Sequence, residues 1–139
     1  MPSFRIPSMC AAALLLALAA APLHEAGARK PAPATPAVQN RCGWFINPTP
    51  GNAWLYDRDA EWTVGLQGGH QAEGDWPAIA EGEWVETNRH YGYGCACMRV
   101  IADDRSKQVL RIVSARGLKL EQCRRDRALT EPLQELRGE

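Results

Sequence analysis

A chain of 139 residues with 16 basic and 16 acidic side chains carries no net charge, which removes the bulk electrostatic pull of a general nucleic-acid binder. Its length accommodates one domain, and its single long apolar run, near the N-terminus, excludes a bundle of membrane spans.

The first seven residues hold one positive charge, Arg5, and Met9–Ala21 is an uninterrupted apolar run of 13 residues. A membrane span needs about 20. Ala26-Gly27-Ala28 supplies a small-x-small cleavage pattern, so residues 1–28 read as a cleaved signal peptide, which takes Cys10 with it. The expected location is periplasmic or secreted, and the expected mature protein is not membrane-spanning. Residues 29–40, rich in Pro and Ala, read as an extended linker that buries nothing. The folded domain is expected over residues 41–136, with residues 137–139 as a frayed tail.

Within that domain, short segments of strand character alternate with turn clusters. Strands are expected at 41–47, 53–56, 61–67, 83–87, 93–102 and 109–113. Glu61–Gln67 alternates, with Trp62, Val64 and Leu66 on one face. The polar turn at 103–107 joins the last two strands, and 121–129 has helical promise, with Glu121 and Arg125 four apart. The expected fold is mainly β: a small antiparallel sheet or barrel-like domain with two disulfides and a short C-terminal helix.

Four cysteines fall in this domain: Cys42, Cys95, Cys97 and Cys123. In an exported chain an even count points to disulfides. Cys95 and Cys97 are two apart in a strand and share a face, and a bond between them would strain it. Each therefore takes one partner from Cys42 and Cys123, and both of those connectivities stay open. Each closed loop contributes roughly 3.5–4 kcal/mol in the loop-entropy model, so reduction is expected to unfold or loosen the domain. A copper or zinc site through Cys95, Cys97 and His90, with His70 as a further donor, is the alternative use of these residues. It requires free thiolates, which export disfavours, so no metal or cofactor is expected.

All five tryptophans lie between Trp44 and Trp84. Alternation assigns Trp44 and Trp62 to the core. Trp54, Trp76, Tyr91 and Tyr93 sit beside Pro/Gly loops and are the candidates for a binding surface, where an aromatic face stacks on a sugar or anchors a protein. The loop 68–76 adds His70, Glu73 and Asp75, the groups a small hydrolase would use for acid–base chemistry. It lacks a neighbouring nucleophile and a phosphate-binding glycine pattern. Charge is unevenly spread: Asp57–Glu86 holds eight acids and one base, and Arg99–Arg127 holds nine bases and four acids. The expectation is two segments that pair with each other and with solvent, rather than a patch for an anionic partner.

Cys42-Gly-Trp-Phe-Ile-Asn-Pro-Thr-Pro50, Trp62-Thr-Val-Gly-Leu-Gln-Gly-Gly69, Tyr91-Gly-Tyr-Gly-Cys-Ala-Cys97 and Cys123-Arg-Arg-Asp126 together resemble a family of small exported bacterial proteins known only as a domain of unknown function. The resemblance spans about 41–129. It implies an envelope or secreted location, supports disulfides and assigns no catalytic residue. The expectation is a non-enzymatic binding module for a protein or glycan, in the envelope or outside the cell, with no nucleic-acid partner. His70, Trp54, Trp76, Tyr91 and Tyr93 are its candidate contacts.

Overall fold

The structure, a computed structural model, describes residues 36–132. The expected signal peptide, the linker up to residue 35 and the tail 137–139 lie outside the described residues.

Six strands and one short helix follow in order: β1 Gln39–Thr49, β2 Asn52–Asp57, β3 Glu61–Gly65, β4 Trp84–Asn88, β5 Tyr91–Asp103, β6 Gln108–Leu118 and α1 Leu120–Arg125. Strand β1 begins at Gln39, so Gln39 and Asn40 of the expected linker belong to the sheet. Strands β1, β2 and β3 form a meander. The chain then crosses over to β5, which lies antiparallel to β1 across Gln39–Asn47. That spatial order is a Greek key. Strand β6 turns back beside β5 and meets β3.

Five strands thus close into a ring, β1-β2-β3-β6-β5, and β4 extends the β5 edge beyond the end of β6. The closing contact is thin: one parallel pair, Thr63 with Gln108, and the Thr63 amide donating to the Lys107 carbonyl at 2.8 Å. The sheet is therefore mixed rather than purely antiparallel. A five-stranded, partly open Greek-key barrel is the architecture of OB-type domains.

The barrel interior is built by alternation. Ala53 and Leu55 of β2, Trp62 and Val64 of β3, Ala96, Met98 and Val100 of β5, and Val109 and Ile112 of β6 all point inward with Phe45 of β1. Trp62 closes one end of this core. The Arg41 guanidinium lies 4.2 Å from its ring centroid and the Lys107 ammonium 5.0 Å, a favourable placement over an indole face. Arg41 is in turn held by Asp57 at 3.2 Å and Asp59 at 2.8 Å. Leu66, expected on the face of Trp62 and Val64, is 36% exposed. Strand β3 ends at Gly65, where Leu66 enters a turn and its amide bonds to the His70 carbonyl.

A second core lies on the outer face of β1 and β5. Trp44, Ile46, Tyr93 and Cys95 point outward there and are buried by Leu120 and Cys123 of α1, with Leu129 beyond it. The helix is only six residues long, shorter than the 121–129 segment expected. Its start is fixed from outside: the Glu83 carboxylate accepts the Leu120 amide at 2.6 Å, a bond that also suits the positive helix terminus.

Candidate functional site

The two disulfides are Cys42–Cys97 and Cys95–Cys123. Cys42 and Cys97 are directly opposite in the β1–β5 ladder, with Cα atoms 4.0 Å apart. Cys95, one step along the same face, ties α1 down through Cys123. All four sulfurs are consumed, so the copper or zinc alternative loses its thiolate ligands. Among the described residues no cluster of three or more His, Cys, Asp or Glu is arranged to hold a metal.

The His70 loop does not assemble as acid–base chemistry requires. His70 Nε2 lies 2.7 Å from the Val109 carbonyl oxygen, so this nitrogen carries a proton and donates to the β6 backbone. Glu73 turns instead to Arg111, at 2.7–2.8 Å. Asp75 lines a shallow depression with Trp76, Ala78 and Ser114, a group that includes neither His70 nor Glu73. The loop is a brace: the Glu73 amide and carbonyl both bond to β6, at Leu110 and Ile112, and seal the barrel beside the thin β3–β6 contact.

The candidate aromatics separate. Tyr93, expected at a loop surface, is fully buried. It lies in β5 with its ring edge-on to Trp44 at 5.4 Å, because position 93 shares the parity of Cys95 and falls beneath the C-terminal cover. Its hydroxyl donates to Glu131 at 3.0 Å, and Arg124 holds the same carboxylate at 2.9 Å. These bonds, Arg124 first, keep the Glu131 carboxyl below its ordinary pKa. Trp76 packs edge-on against Phe45 at 5.6 Å and stoppers the barrel. Tyr91 opens β5 and tilts over His90, with ring centroids 4.1 Å apart, at the β4–β5 hairpin tip. Trp84, not singled out from sequence, holds that tip by donating from Nε1 to the His90 carbonyl at 3.0 Å.

Trp54 differs from the rest. It sits on β2 between inward-facing Ala53 and Leu55, so its indole faces outward, opposite Ile46 of β1 and Thr63 of β3. It is partly exposed and makes no hydrogen bond or ring contact among the described residues. The turn 48–52 flanks it. There the Asn47 side-chain Nδ2 donates to the Thr49 and Asn52 carbonyls, and the Asn52 carboxamide oxygen accepts the Gln67 backbone amide. The result is an aromatic platform beside a braced turn.

A further surface escaped the sequence reading. Below the Cys42–Cys97 disulfide the outer face of β1, β5 and β6 is uncovered, and a cleft of about 330 Å³ opens between Asn40, Arg99, Ser114 and Arg116. Parity was the available signal, since positions 97 and 99 must share a face; β6 was expected to stop at 113, which hid Ser114 and Arg116. The acidic and basic segments, expected to pair with each other and with solvent, are joined among the described residues by two ion pairs, Glu73–Arg111 and Arg58–Asp126.

No helix among the described residues is long and apolar enough to cross a membrane. No curated protein and no solved structure matches the chain. A family model described as "Protein of unknown function (DUF4087)" matches residues 36–130, a span that runs from just before β1 to just past Leu129 of the outer core. The chain belongs to this family of proteins of unknown function.

Proposed function

We propose that this protein is an exported, non-enzymatic binding module whose ligand, a glycan or a protein loop, docks on the outer face of β2 and β3 around Trp54. The observation that carries the reading is the state of Trp54: an outward-facing indole, partly exposed, with no hydrogen bond or ring partner among the described residues. A large aromatic left on a rigid strand is the usual anchor of a binding surface, because it offers area at little entropic cost. OB-type barrels bind oligosaccharides and oligonucleotides on the face of their second and third strands; that is an analogy of fold, which supports the location and not the ligand. The two disulfides suit an oxidising compartment. The separation of His70 from Glu73 and Asp75 speaks against the hydrolase alternative.

The test is a panel of cell-wall oligosaccharides and envelope proteins screened against the oxidised chain and its Trp54→Ala variant. Binding that weakens by about tenfold or more in the variant, with the melting temperature unchanged, is the expected result. Hits that bind both proteins equally would remove Trp54 from the site and sink the reading.

A further inference from the structure

We infer that the cleft formed by Asn40, Arg99, Ser114 and Arg116 is an oxyanion site, which takes the phosphate or carboxylate of a soluble ligand. It is separate from the Trp54 surface and does not depend on the reading given to that surface.

The register places the groups. Arg99 of β5 is directly opposite Ser114 of β6 on one side and Asn40 of β1 on the other. Arg116 is opposite Cys97, two positions along the same face. Such diagonal neighbours have their backbones about 7–8 Å apart, within reach of long side chains. Both arginines thus line one depression together with Ser114 and Asn40. The Cys42–Cys97 disulfide forms its rigid side.

Both arginines are exposed, and neither is in a salt bridge or a side-chain hydrogen bond among the described residues. Five other arginines (41, 58, 111, 124 and 125) each hold a carboxylate at 3.2 Å or less; Arg89, Arg105 and Arg127 hold none among the described residues, but they do not line this cleft. Among the described residues no acid lines the cleft. Two positive charges side by side on one face repel, and no carboxylate among the described residues pairs with either. An oxyanion does: guanidinium forks match carboxylate and phosphate oxygens in bidentate geometry, and a hydroxyl and an amide supply the remaining donors. A concave site of this kind favours a discrete group entering it over a flat charged surface.

The test follows the backbone amides of the oxidised full-length chain by NMR at low ionic strength. The probes are inorganic phosphate, trigalacturonate and phosphatidylglycerol vesicles, each added separately. Saturable shifts at Asn40, Arg99, Ser114 and Arg116 are expected with phosphate, with trigalacturonate or with both, and the responding probe identifies a phosphate or a uronate source. The Arg99→Gln/Arg116→Gln double variant should weaken that binding by about tenfold or more, while Arg125→Gln, whose guanidinium is already held by Glu121, should leave it unchanged. Both replacements in the double variant are at exposed positions, and an unchanged melting temperature shows that the fold is kept. No saturable shift at these four residues overturns the proposal, as does an affinity insensitive to the double variant. A response to vesicles alone also overturns it, and replaces the cleft with a diffuse charged surface.

Discussion

The barrel interior and the outer core bury similar side chains by different means. Inside the barrel, residues from β1, β2, β3, β5 and β6 converge, and the sheet itself is the wall. On the outer face the fully buried floor comes from β1 and β5, with Tyr56 of β2, Val85 of β4 and Leu118 of β6 at its rim, and the roof is a six-residue helix with the segment that follows it. A helix that short has no stability of its own. It stays because Cys123 is bonded to Cys95, Glu83 receives the Leu120 amide, and Glu131 bridges Tyr93 and Arg124. Each core also contains one fully buried tryptophan, Trp62 or Trp44, whose indole N–H has no hydrogen-bond partner among the described residues, a cost of about 1–3 kcal/mol each. The barrel offsets that cost by packing Trp62 among nine other buried residues and by placing two cations over its ring. The outer core depends on a covalent tie. Burial from several directions is self-supporting; burial under a short cover has to be fastened.

That contrast can be broken at three points. The largest effect is expected from Trp62→Ala, which removes a fully buried indole from the closed end of the barrel core and leaves Arg41 and Lys107 without their ring. A loss of about 3–5 kcal/mol, seen as a lowered denaturant midpoint, is the expected outcome. A loss below 1 kcal/mol would show that the barrel does not rest on this residue.

Opening the Cys95–Cys123 bond by the paired change Cys95→Ser/Cys123→Ser comes next. Its loop spans 28 residues, worth roughly 3.5 kcal/mol in the loop-entropy model. Hydrogen exchange should then rise first at Tyr93, Leu120 and the residues around Leu129, while β2 and β3 stay protected. Uniform loosening of both cores would erase the distinction between them.

Acid supplies the smallest and most local probe. Glu131 has a folded-state pKa lowered from the ordinary 4.5 by its bond to Arg124 and then by Tyr93. A carboxyl lowered on folding stabilises above its unfolded pKa, and that stability is lost as pH falls through the folded value. The outer core should therefore loosen between pH 4.5 and the lower folded value, and Glu131→Gln should remove this dependence. An acid transition unchanged by Glu131→Gln would show that the Glu131 bridge does not fasten the cover.

Much of the barrel was legible in sequence because its alternation is simple: Trp62 and Val64 of β3 read inward at once. The outer core was legible only at Trp44, and β1 shows why. Trp44, Phe45 and Ile46 are all buried, since one face of the strand meets the interior and the other meets the cover. A continuous apolar run carries no parity, so its second partner is invisible. Tyr93 was misplaced for the same reason, its burial being set by residues about thirty positions away. Leu66 failed through turn chemistry: Gly68, at φ 76°, turns the chain before the alternation completes. Of the candidate contacts, Trp54 is partly exposed on β2, whereas His70 bonds the β6 backbone at Val109.

The placing of Cys42 opposite Cys97 bears on how the chain selects one alignment of its strands. A slip of β1 along β5 by one residue would turn every side chain to the wrong face, and the apolar pattern forbids it. A slip by two preserves both faces, so apolarity alone tolerates it. That slip brings Cys42 level with Cys95, an equally oxidisable partner on the same face, and leaves Cys97 for Cys123. The mispaired disulfide isomer of this protein is therefore a misaligned sheet, and the spacing of two between Cys95 and Cys97 turns oxidation into a step that records which alignment was present when the bond closed.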